Sequence, residues 1–169
     1  MNRIYLIGYM GAGKSSIARK LAGRLSCAFF DLDKMFEEKY RITVQDFFFK
    51  YDEAAFRKLE SMLLRETESL QDCIIATGGG TPCFHDNIDW MNEHGITVFI
   101  KISAETAVSR IINSKKKRPL AQGKTEAELL EYVRQHYGNR LPYYEKAQIT
   151  VKGEDFDIES SLLDVGRLL

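Results

Sequence analysis

Residues 8–15, with the sequence GYMGAGKS, constrain the fold of this chain more than any other feature. They match the pattern G-x-x-x-x-G-K-[ST], and they lie between the apolar run Ile4–Ile7 and a segment with apolar residues at helical spacing. In such a loop, backbone N–H groups turn inward onto phosphate oxygens, and the dipole of the following helix favours negative charge. The sequence therefore predicts a phosphate-binding loop, in which Lys14 reaches the β- and γ-phosphates and Ser15 gives its hydroxyl to Mg²⁺.

The rest of the chain alternates short apolar runs with longer segments of helical periodicity. The runs are rich in β-branched and aromatic residues, as strands buried on both faces are. They cover Ile4–Ile7, Cys27–Phe30, Cys73–Ala76, Ile96–Ile102 and Ala147–Val151. Helical stripes include Phe56, Leu59 and Leu63, and later Ile158, Leu162 and Val165. Since alternating strands and helices form βαβ units, we predict a three-layer α/β/α fold with a five-stranded parallel sheet, formed by one domain over residues 1–169.

Composition and charge narrow the classes of partner. Lysine plus arginine (24) balances aspartate plus glutamate (24), so no net charge favours nucleic acid or a membrane surface. No apolar run approaches the roughly 18 residues that span a bilayer, and the short run after Arg3 passes directly into a glycine loop, unlike a signal peptide. Cys27, Cys73 and Cys83 lack metal-ligand spacing, which favours reduced thiols. We expect a cytoplasmic monomer that binds neither nucleic acid nor membranes.

Two carboxylates, Asp31 and Asp33, follow the second predicted strand. On an extended segment, a spacing of two residues directs both side chains to one face, at the edge of a parallel sheet where ligands bind. One carboxylate then holds the water shell of a magnesium ion while the other accepts a proton from an incoming hydroxyl. The alternative is that both residues cap the next helix.

A helix predicted from about Asp52 to Ser69 contains an arginine flanked by two acids. Glu53 and Glu60 lie four residues before and three residues after Arg57. This spacing fits either an exposed ladder of ion pairs or a guanidinium fixed to bind a substrate carboxylate. The run Gly78–Gly80 ends the third predicted strand. Because three glycines cost backbone entropy, we interpret them as a close approach of the backbone to a ligand rather than as a plain turn.

Two further arginines lie in segments with a weak pattern. Arg118 directly precedes Pro119 and is therefore restrained from helix. It belongs to a lysine-rich segment, about 113–124, that is either a solvated surface or a mobile lid supplying Arg118 to a transferring phosphoryl group. Arg140 lies where Pro142 is expected to break one helix and begin a short one, and it is either a surface residue or part of the site.

The order of these motifs resembles that of the shikimate kinases, which have a nucleoside-monophosphate-kinase-like P-loop fold. The resemblance extends over essentially the whole chain and rests on GYMGAGKS, DLD, FRKLE, GGG, RPL and RLPYYEKA in that order. One departure is visible, because the family usually has Gly-Glu a few residues before Phe-Arg, where this chain has Asp52-Glu53. This departure alters the start of a helix rather than a ligand.

The resemblance implies an ATP site and a magnesium site at the glycine loop. The implied ATP-binding residues are Gly11, Ala12, Gly13, Lys14, Ser15, Ser16, Arg110 and Arg118. Ser15 and Asp31 would lie on the Mg²⁺ side, Arg118 would come from the lid, and Arg110 resembles the residue that lies against adenine. ATP would be the co-substrate and Mg²⁺ the cofactor.

The resemblance also implies a shikimate site, partly in a helical substrate-binding segment over about 33–62. The implied residues are Asp33, Phe48, Phe56, Arg57, Glu60, Gly79, Gly80 and Arg140. Asp33 would bind the ring hydroxyls beside the 3-hydroxyl that attacks ATP, and Arg57 and Arg140 would clamp the carboxylate while Glu60 holds Arg57. The glycines would approach the ring, and the two phenylalanines would form an apolar wall.

The function that the resemblance implies is transfer of the γ-phosphoryl group of ATP to the 3-hydroxyl of shikimate, giving shikimate 3-phosphate and ADP in aromatic amino acid biosynthesis. The implied catalytic residues are Lys14, Asp33 and Arg118, because Lys14, Mg²⁺ and Arg118 would meet the charge on the transferring group. Two alternatives are a related small-molecule kinase such as a gluconate kinase, and a catalytically inactive nucleotide-binding regulator.

Overall fold

Five parallel strands form one sheet in the structure, a computed structural model that describes residues 3–114, 122–155 and 157. The strands are β1 (Arg3–Ile7), β2 (Ala28–Asp31), β3 (Cys73–Ala76), β4 (Gly95–Lys101) and β5 (Ile149–Lys152). Their order across the sheet is β2-β3-β1-β4-β5, and each neighbouring pair is parallel. Each strand overlaps the apolar run that predicted it, so the five-stranded parallel sheet is confirmed.

Helices flank the sheet to give the predicted three-layer α/β/α arrangement. Those in the described part of the chain are α1 (Lys14–Leu25), α2 (Leu32–Tyr40), α3 (Val44–Lys50), α4 (Glu53–Glu66), α5 (Asn87–His94), α6 (Ala104–Ile112) and α7 (Glu126–Tyr144). Short 3₁₀ turns follow α4 and precede α5, at Thr67–Ser69 and Thr81–Cys83. None of the described helices is long and apolar enough to cross a membrane. The predicted stripe at 158, 162 and 165 lies outside the described residues.

Side-chain caps fix where several helices begin. The hydroxyl of Thr43 accepts a hydrogen bond from the backbone N–H of Asp46 and thereby caps α3. Asp52 caps α4 by accepting from the N–H of Ala55 at 2.7 Å. The departure at Asp52-Glu53 thus leaves a well-capped helix start.

The carboxyl ends of the strands bring the predicted site segments to one edge of the sheet. Asp31 at the end of β2 is level with Ala76 at the end of β3, and Ala76 is level with Leu6 in β1. Asp31 is itself the last residue of β2, Thr77 directly follows β3, and Gly8 directly follows β1. Residues 4–7 of strand β1 are fully buried, so the phosphate loop is attached directly to the core of the protein.

The predicted helix break at Arg140 is wrong, because α7 continues without interruption to Tyr144 and contains Pro142. A proline removes one backbone donor and crowds the carbonyl four residues earlier, which is Gly138 here. The helix continues because Pro142 lies in its last turn, where the side chain of Tyr144 is fully buried. The N–H of Glu145 still bonds to the carbonyl of Leu141 at 2.9 Å.

Candidate active site

The glycine loop joins β1 to α1 with the backbone geometry that phosphate binding requires. Gly8 has φ +143°, and a Cβ there would lie 2.7 Å from the carbonyl oxygen of Ile100. Gly13 has φ +89° and immediately precedes α1. Both positions therefore need glycine. The loop ends at a helix N-terminus, where unpaired N–H groups favour an anion.

Lys14 folds back across this loop. Its Nζ donates to the carbonyl oxygens of Gly8, at 2.8 Å, and of Tyr9, at 3.1 Å. The ammonium group of Lys14 therefore lies against the loop backbone. The phosphates of a bound nucleotide would replace the two carbonyl oxygens as its partners.

Ser15 and Asp31 form the donor pair predicted for a metal. The hydroxyl of Ser15 donates to Oδ2 of Asp31 at 2.5 Å, between the first turn of α1 and the end of β2. Mg²⁺ in kinase sites binds one or two carboxylates or hydroxyls and completes its shell with water and substrate phosphates. A hydroxyl and a carboxylate beside a phosphate loop fit this ion.

The expectation that Asp31 and Asp33 both lie on an extended segment is wrong for Asp33. Only Asp31 is in β2, and its Oδ1 accepts from the N–H groups of Asp33 and Lys34, so it also caps α2. Asp33 lies in the first turn of that helix. The capping alternative thus holds for Asp31, whose Oδ1 caps α2 while its Oδ2 accepts from Ser15, and its magnesium role stays a prediction.

Arg57 is buried within a charged cluster on α4. Its guanidinium donates to Glu60 at 2.8 Å and to Glu53 at 3.1 Å. Arg57 is only 7% exposed and Glu60 only 2%, which excludes the exposed ion-pair ladder as a description of Arg57 and Glu60. A buried guanidinium with buried partners has a fixed orientation.

The glycine run after β3 is the point where these side chains meet. A Cβ on Gly78 would lie 3.0 Å from Oε1 of Glu60 and 3.1 Å from Oδ1 of Asp33. A Cβ on Gly80 would lie 2.6 Å from Cζ of Arg57. The glycines therefore allow close approach, as predicted, and the groups that approach in this structure are carboxylates and a guanidinium.

Arg140 reaches the same run from α7. A Cβ on Gly79 would lie 3.6 Å from Nη1 of Arg140 and 3.4 Å from the backbone nitrogen of Met10 in the phosphate loop. Tyr144, one turn later on α7, donates its hydroxyl to the carbonyl oxygen of Gly79 at 2.5 Å. The uninterrupted helix thus places Arg140 beside both the glycine run and the phosphate loop.

The predicted apolar wall lies beside Arg57. Phe48 and Phe56 have ring centroids 4.5 Å apart, and the Arg57 guanidinium carbon is 5.9 Å and 5.1 Å from those rings. Phe84, which the sequence did not indicate, lies closer, with its ring centre 4.3 Å from the same carbon. Aromatic faces on a guanidinium fix its plane without using its N–H donors.

Two more arginines, Arg110 and Arg118, were predicted to bind ATP, and the structure describes the position of Arg110 alone. Arg110 donates to the carbonyl oxygens of Gly11 at 2.9 Å and of Gly153 at 3.0 Å, so it lies against the back of the loop, and its contact with adenine stays a prediction. Arg118 lies outside the described residues, as does most of the predicted lid.

The chain is similar to known proteins along nearly its whole length. The sequence profile of the shikimate kinase family matches residues 10–165. The shikimate kinase of Bacteroides fragilis is 40% identical over 173 residues, which cover 100% of this chain and 97% of that protein. The chain belongs to the shikimate kinase family. The crystal structure of the shikimate kinase from Bacteroides thetaiotaomicron matches with a TM-score of 0.91 and 38% identity, covering 99% of this chain and 97% of that one.

A third relative in the family was solved with its ligand. The shikimate kinase from Acinetobacter baumannii in complex with shikimate matches with a TM-score of 0.83 and 31% identity, over 99% of this chain and 92% of that chain. The similarity therefore extends over the entire fold that carries the site.

Several residues at this shikimate kinase site were missed by sequence reasoning. Tyr9 contacts His136 through its hydroxyl at 2.7 Å, Tyr144 holds Gly79, and Thr81 donates to Glu60 at 2.6 Å. Tyr9 and Tyr144 lie inside quoted motifs and were available as signals. Thr81 and His136 carry no local signal, because their partners are distant along the chain.

Proposed function

We propose that the chain transfers the γ-phosphoryl group of ATP to the 3-hydroxyl of shikimate, giving ADP and shikimate 3-phosphate. The observation that carries this proposal is the meeting of Asp33, Arg57 and Arg140 around Gly78–Gly80, next to the phosphate loop. Two guanidinium groups suit a carboxylate, and a nearby aspartate suits ring hydroxyls. A gluconate kinase shares the fold, but this set of groups favours an acceptor that carries a carboxylate and vicinal hydroxyls.

In the proposed step, the acceptor hydroxyl oxygen forms a bond to the γ-phosphorus as the bond to the β–γ bridging oxygen breaks. The electron pair of that bond leaves with ADP, and the hydroxyl proton passes to the carboxylate of Asp33. Lys14 and the loop N–H groups stabilise the negative charge on the phosphates. Arg118 is proposed to add positive charge from the lid, over about 113–124.

Ser15 and Asp31 are proposed to hold Mg²⁺, which supplies charge neutralisation at the β- and γ-phosphates when bound. Their hydroxyl and carboxylate already lie at hydrogen-bonding distance, so they need little rearrangement to share one ion. We further propose that the enzyme acts as a cytoplasmic monomer without nucleic acid or membrane partners. The balanced charge of the chain supports the absence of such partners.

A coupled assay of ADP release tests the proposal against both alternatives. We expect ADP release with ATP, Mg²⁺ and shikimate, and only background release with gluconate or without an acceptor. Faster ADP release with gluconate than with shikimate would indicate that the chain is a related sugar-acid kinase. Nucleotide binding without ADP release under any condition would indicate an inactive regulator.

A further inference from the structure

A buried hydrogen-bonded seam joins α4 to the loop that follows the glycine run. Thr81 donates from Oγ1 to Oε1 of Glu60 at 2.6 Å, and Asn87 donates from Nδ2 to the carbonyl oxygen of Thr81 at 2.9 Å. Ser61 donates to Oδ1 of Asn87 at 2.8 Å. All four residues are buried, and Thr81 and Asn87 are 0% exposed. The phosphoryl-transfer step proposed above uses none of these three hydrogen bonds.

Glu60 is held at both carboxylate oxygens by this arrangement. Oε2 accepts from Nη1 of Arg57 at 2.8 Å, while Oε1 accepts from Thr81. A carboxylate held at a single oxygen is able to rotate about its last side-chain bond, whereas contacts at both oxygens fix its plane. The plane of Glu60 therefore depends on the hydroxyl of Thr81.

The orientation of Arg57 depends in turn on Glu60 more than on its other acidic partner. The side chain of Glu53 is 53% exposed, and that of Glu60 is 3% exposed. Exposed ion pairs contribute little because water screens them, whereas a buried carboxylate holds a guanidinium strongly. Phe84 and Gly80 fix the plane of the guanidinium, so Glu60 decides where its N–H donors point within that plane.

We propose that Thr81 is a positioning residue for acceptor binding: its hydroxyl fixes Glu60, and Glu60 directs the free edge of Arg57 toward the shikimate carboxylate. This inference rests on the proposed function. Loss of the hydroxyl would also leave a buried carboxylate oxygen without its donor. The consequence falls on acceptor binding, because, among the described residues, the hydrogen bonds of Thr81 go to Glu60, Asn87 and Gly78 and none goes to residues 8–15.

The substitution Thr81→Val removes the donor and conserves the shape of the side chain. We expect the KM for shikimate to rise about tenfold, because a hydrogen bond to a charged group is lost, while kcat and the KM for ATP change less than about twofold. Thr81→Ser retains the hydroxyl and should keep KM near the wild-type value. Thr81→Ala serves as the donor-free variant if valine prevents folding.

Thr67→Val is the matched control. Thr67 is also 0% exposed, and its hydroxyl donates to the carbonyl oxygen of Leu64 at 2.6 Å, at the far end of α4. Its replacement should lower the melting temperature without changing the KM for shikimate. An equal rise in KM for Thr67→Val and Thr81→Val, or no rescue by Thr81→Ser, would overturn the proposal.

A readout independent of activity separates this inference from the proposed function. The N–H signal of Arg57 Nε in a ¹⁵N-edited NMR spectrum should shift or broaden in Thr81→Val and stay unchanged in Thr67→Val. If wild type does not phosphorylate shikimate, the proposed function fails, and the Arg57 signal still decides whether Thr81 fixes the guanidinium. An unchanged Arg57 signal in Thr81→Val, with wild type active on shikimate, contradicts the positioning role alone.

Discussion

The hydroxyl of Tyr9, inside the phosphate loop, lies 2.7 Å from Nδ1 of His136 on α7. Burial raises the pKa of Tyr9 above its ordinary value, so the hydroxyl keeps its proton, and it donates to Nδ1 when the neutral imidazole carries its hydrogen on Nε2. Burial also lowers the pKa of His136, and the positive charges of Arg140 and Arg57 act in the same direction while Glu53 opposes them. The hydrogen bond therefore ties the phosphate loop to the helix that carries Arg140.

This relationship predicts how stability changes with pH. The pKa of His136 is lower in the folded state than its ordinary value of 6.5, so the unfolded chain binds the proton first as the pH falls. The contribution of His136 to the free energy of unfolding is therefore complete above about pH 6.5 and decreases below it. Urea unfolding at pH 7.5 and 5.5 should show a decline that is smaller in His136→Asn, where an amide oxygen can replace Nδ1 as the acceptor.

His85→Asn is the control for this measurement, because His85 is exposed and lies in the loop before α5. It should retain the wild-type decline between the two pH values. If the free energy of unfolding declined equally in His136→Asn and in wild type, the hydrogen bond between His136 and Tyr9 would not contribute to the pH dependence of stability.

Elements of the fold that depend on short-range patterns were predicted correctly. The strand–loop–helix unit around residues 8–15 and the helix that carries Arg57 follow from hydrophobic periodicity and local motifs, which act over a few residues. The break at Pro142 was mispredicted because a proline in the last turn removes only one helical hydrogen bond, and the burial of Tyr144 outweighs it.

The composition of the site was predictable, but its internal contacts were not. Asp33, Arg57 and Arg140 lie in recognisable motifs. The partner of Thr81 is 21 residues away and that of His136 is 127 residues away. Such contacts depend on how α4 and α7 pack at the edge of the sheet, and no local pattern encodes that packing.

Replacement of Lys14 tests the proposed binding site for ATP, the phosphoryl donor. Lys14→Ala should reduce turnover to less than about a tenth of the wild-type value, because it removes the charge placed over the phosphates. The fold should persist, because the hydrogen bonds from Nζ to the carbonyl oxygens of Gly8 and Tyr9 lie within the loop itself. ADP release and thermal unfolding are measured together, with Lys20→Ala on the exposed face of α1 as the control. Retention of substantial turnover would contradict the phosphate-loop assignment.

Asp33→Asn tests the proposed proton acceptor. We expect kcat to fall roughly 10²- to 10⁴-fold, because an amide cannot take the hydroxyl proton, while the Kd for ATP stays unchanged. Glu38→Gln, exposed on the same helix, controls for loss of a carboxylate charge on α2. If ATP affinity collapsed while turnover survived, Asp33 would belong to the metal, and the proposed roles of Asp31 and Asp33 would have to be exchanged.

Arg57 and Arg140 lie on α4 and α7, and a common anion explains why both reach the same glycine run. Removal of either arginine should weaken shikimate binding by about one and a half to three and a half decades, because a carboxylate in a closed site loses one of two charged partners. The Kd for ATP should stay nearly unchanged. Isothermal titration with each ligand measures both quantities, and Arg134→Ala, exposed on α7, is the control.

We expect the Arg57→Ala and Arg140→Ala variants to differ in stability, and this difference makes the test of the carboxylate clamp more specific. Arg57→Ala leaves the buried carboxylate of Glu60 without its cation, which should cost about 3–5 kcal/mol of unfolding free energy. Among the residues that the structure describes, Arg140 forms no ion pair, so Arg140→Ala breaks none of them. A shared loss of shikimate affinity therefore cannot arise from shared destabilisation. A shikimate analogue with an amide in place of the carboxylate should bind wild type poorly. The affinity of both variants for this analogue should be only slightly lower than that of wild type. Two results would contradict the carboxylate clamp and, with it, shikimate as the acceptor. One is phosphorylation of the amide analogue at the same rate as shikimate, and the other is a loss in either variant that falls mainly on the affinity for ATP.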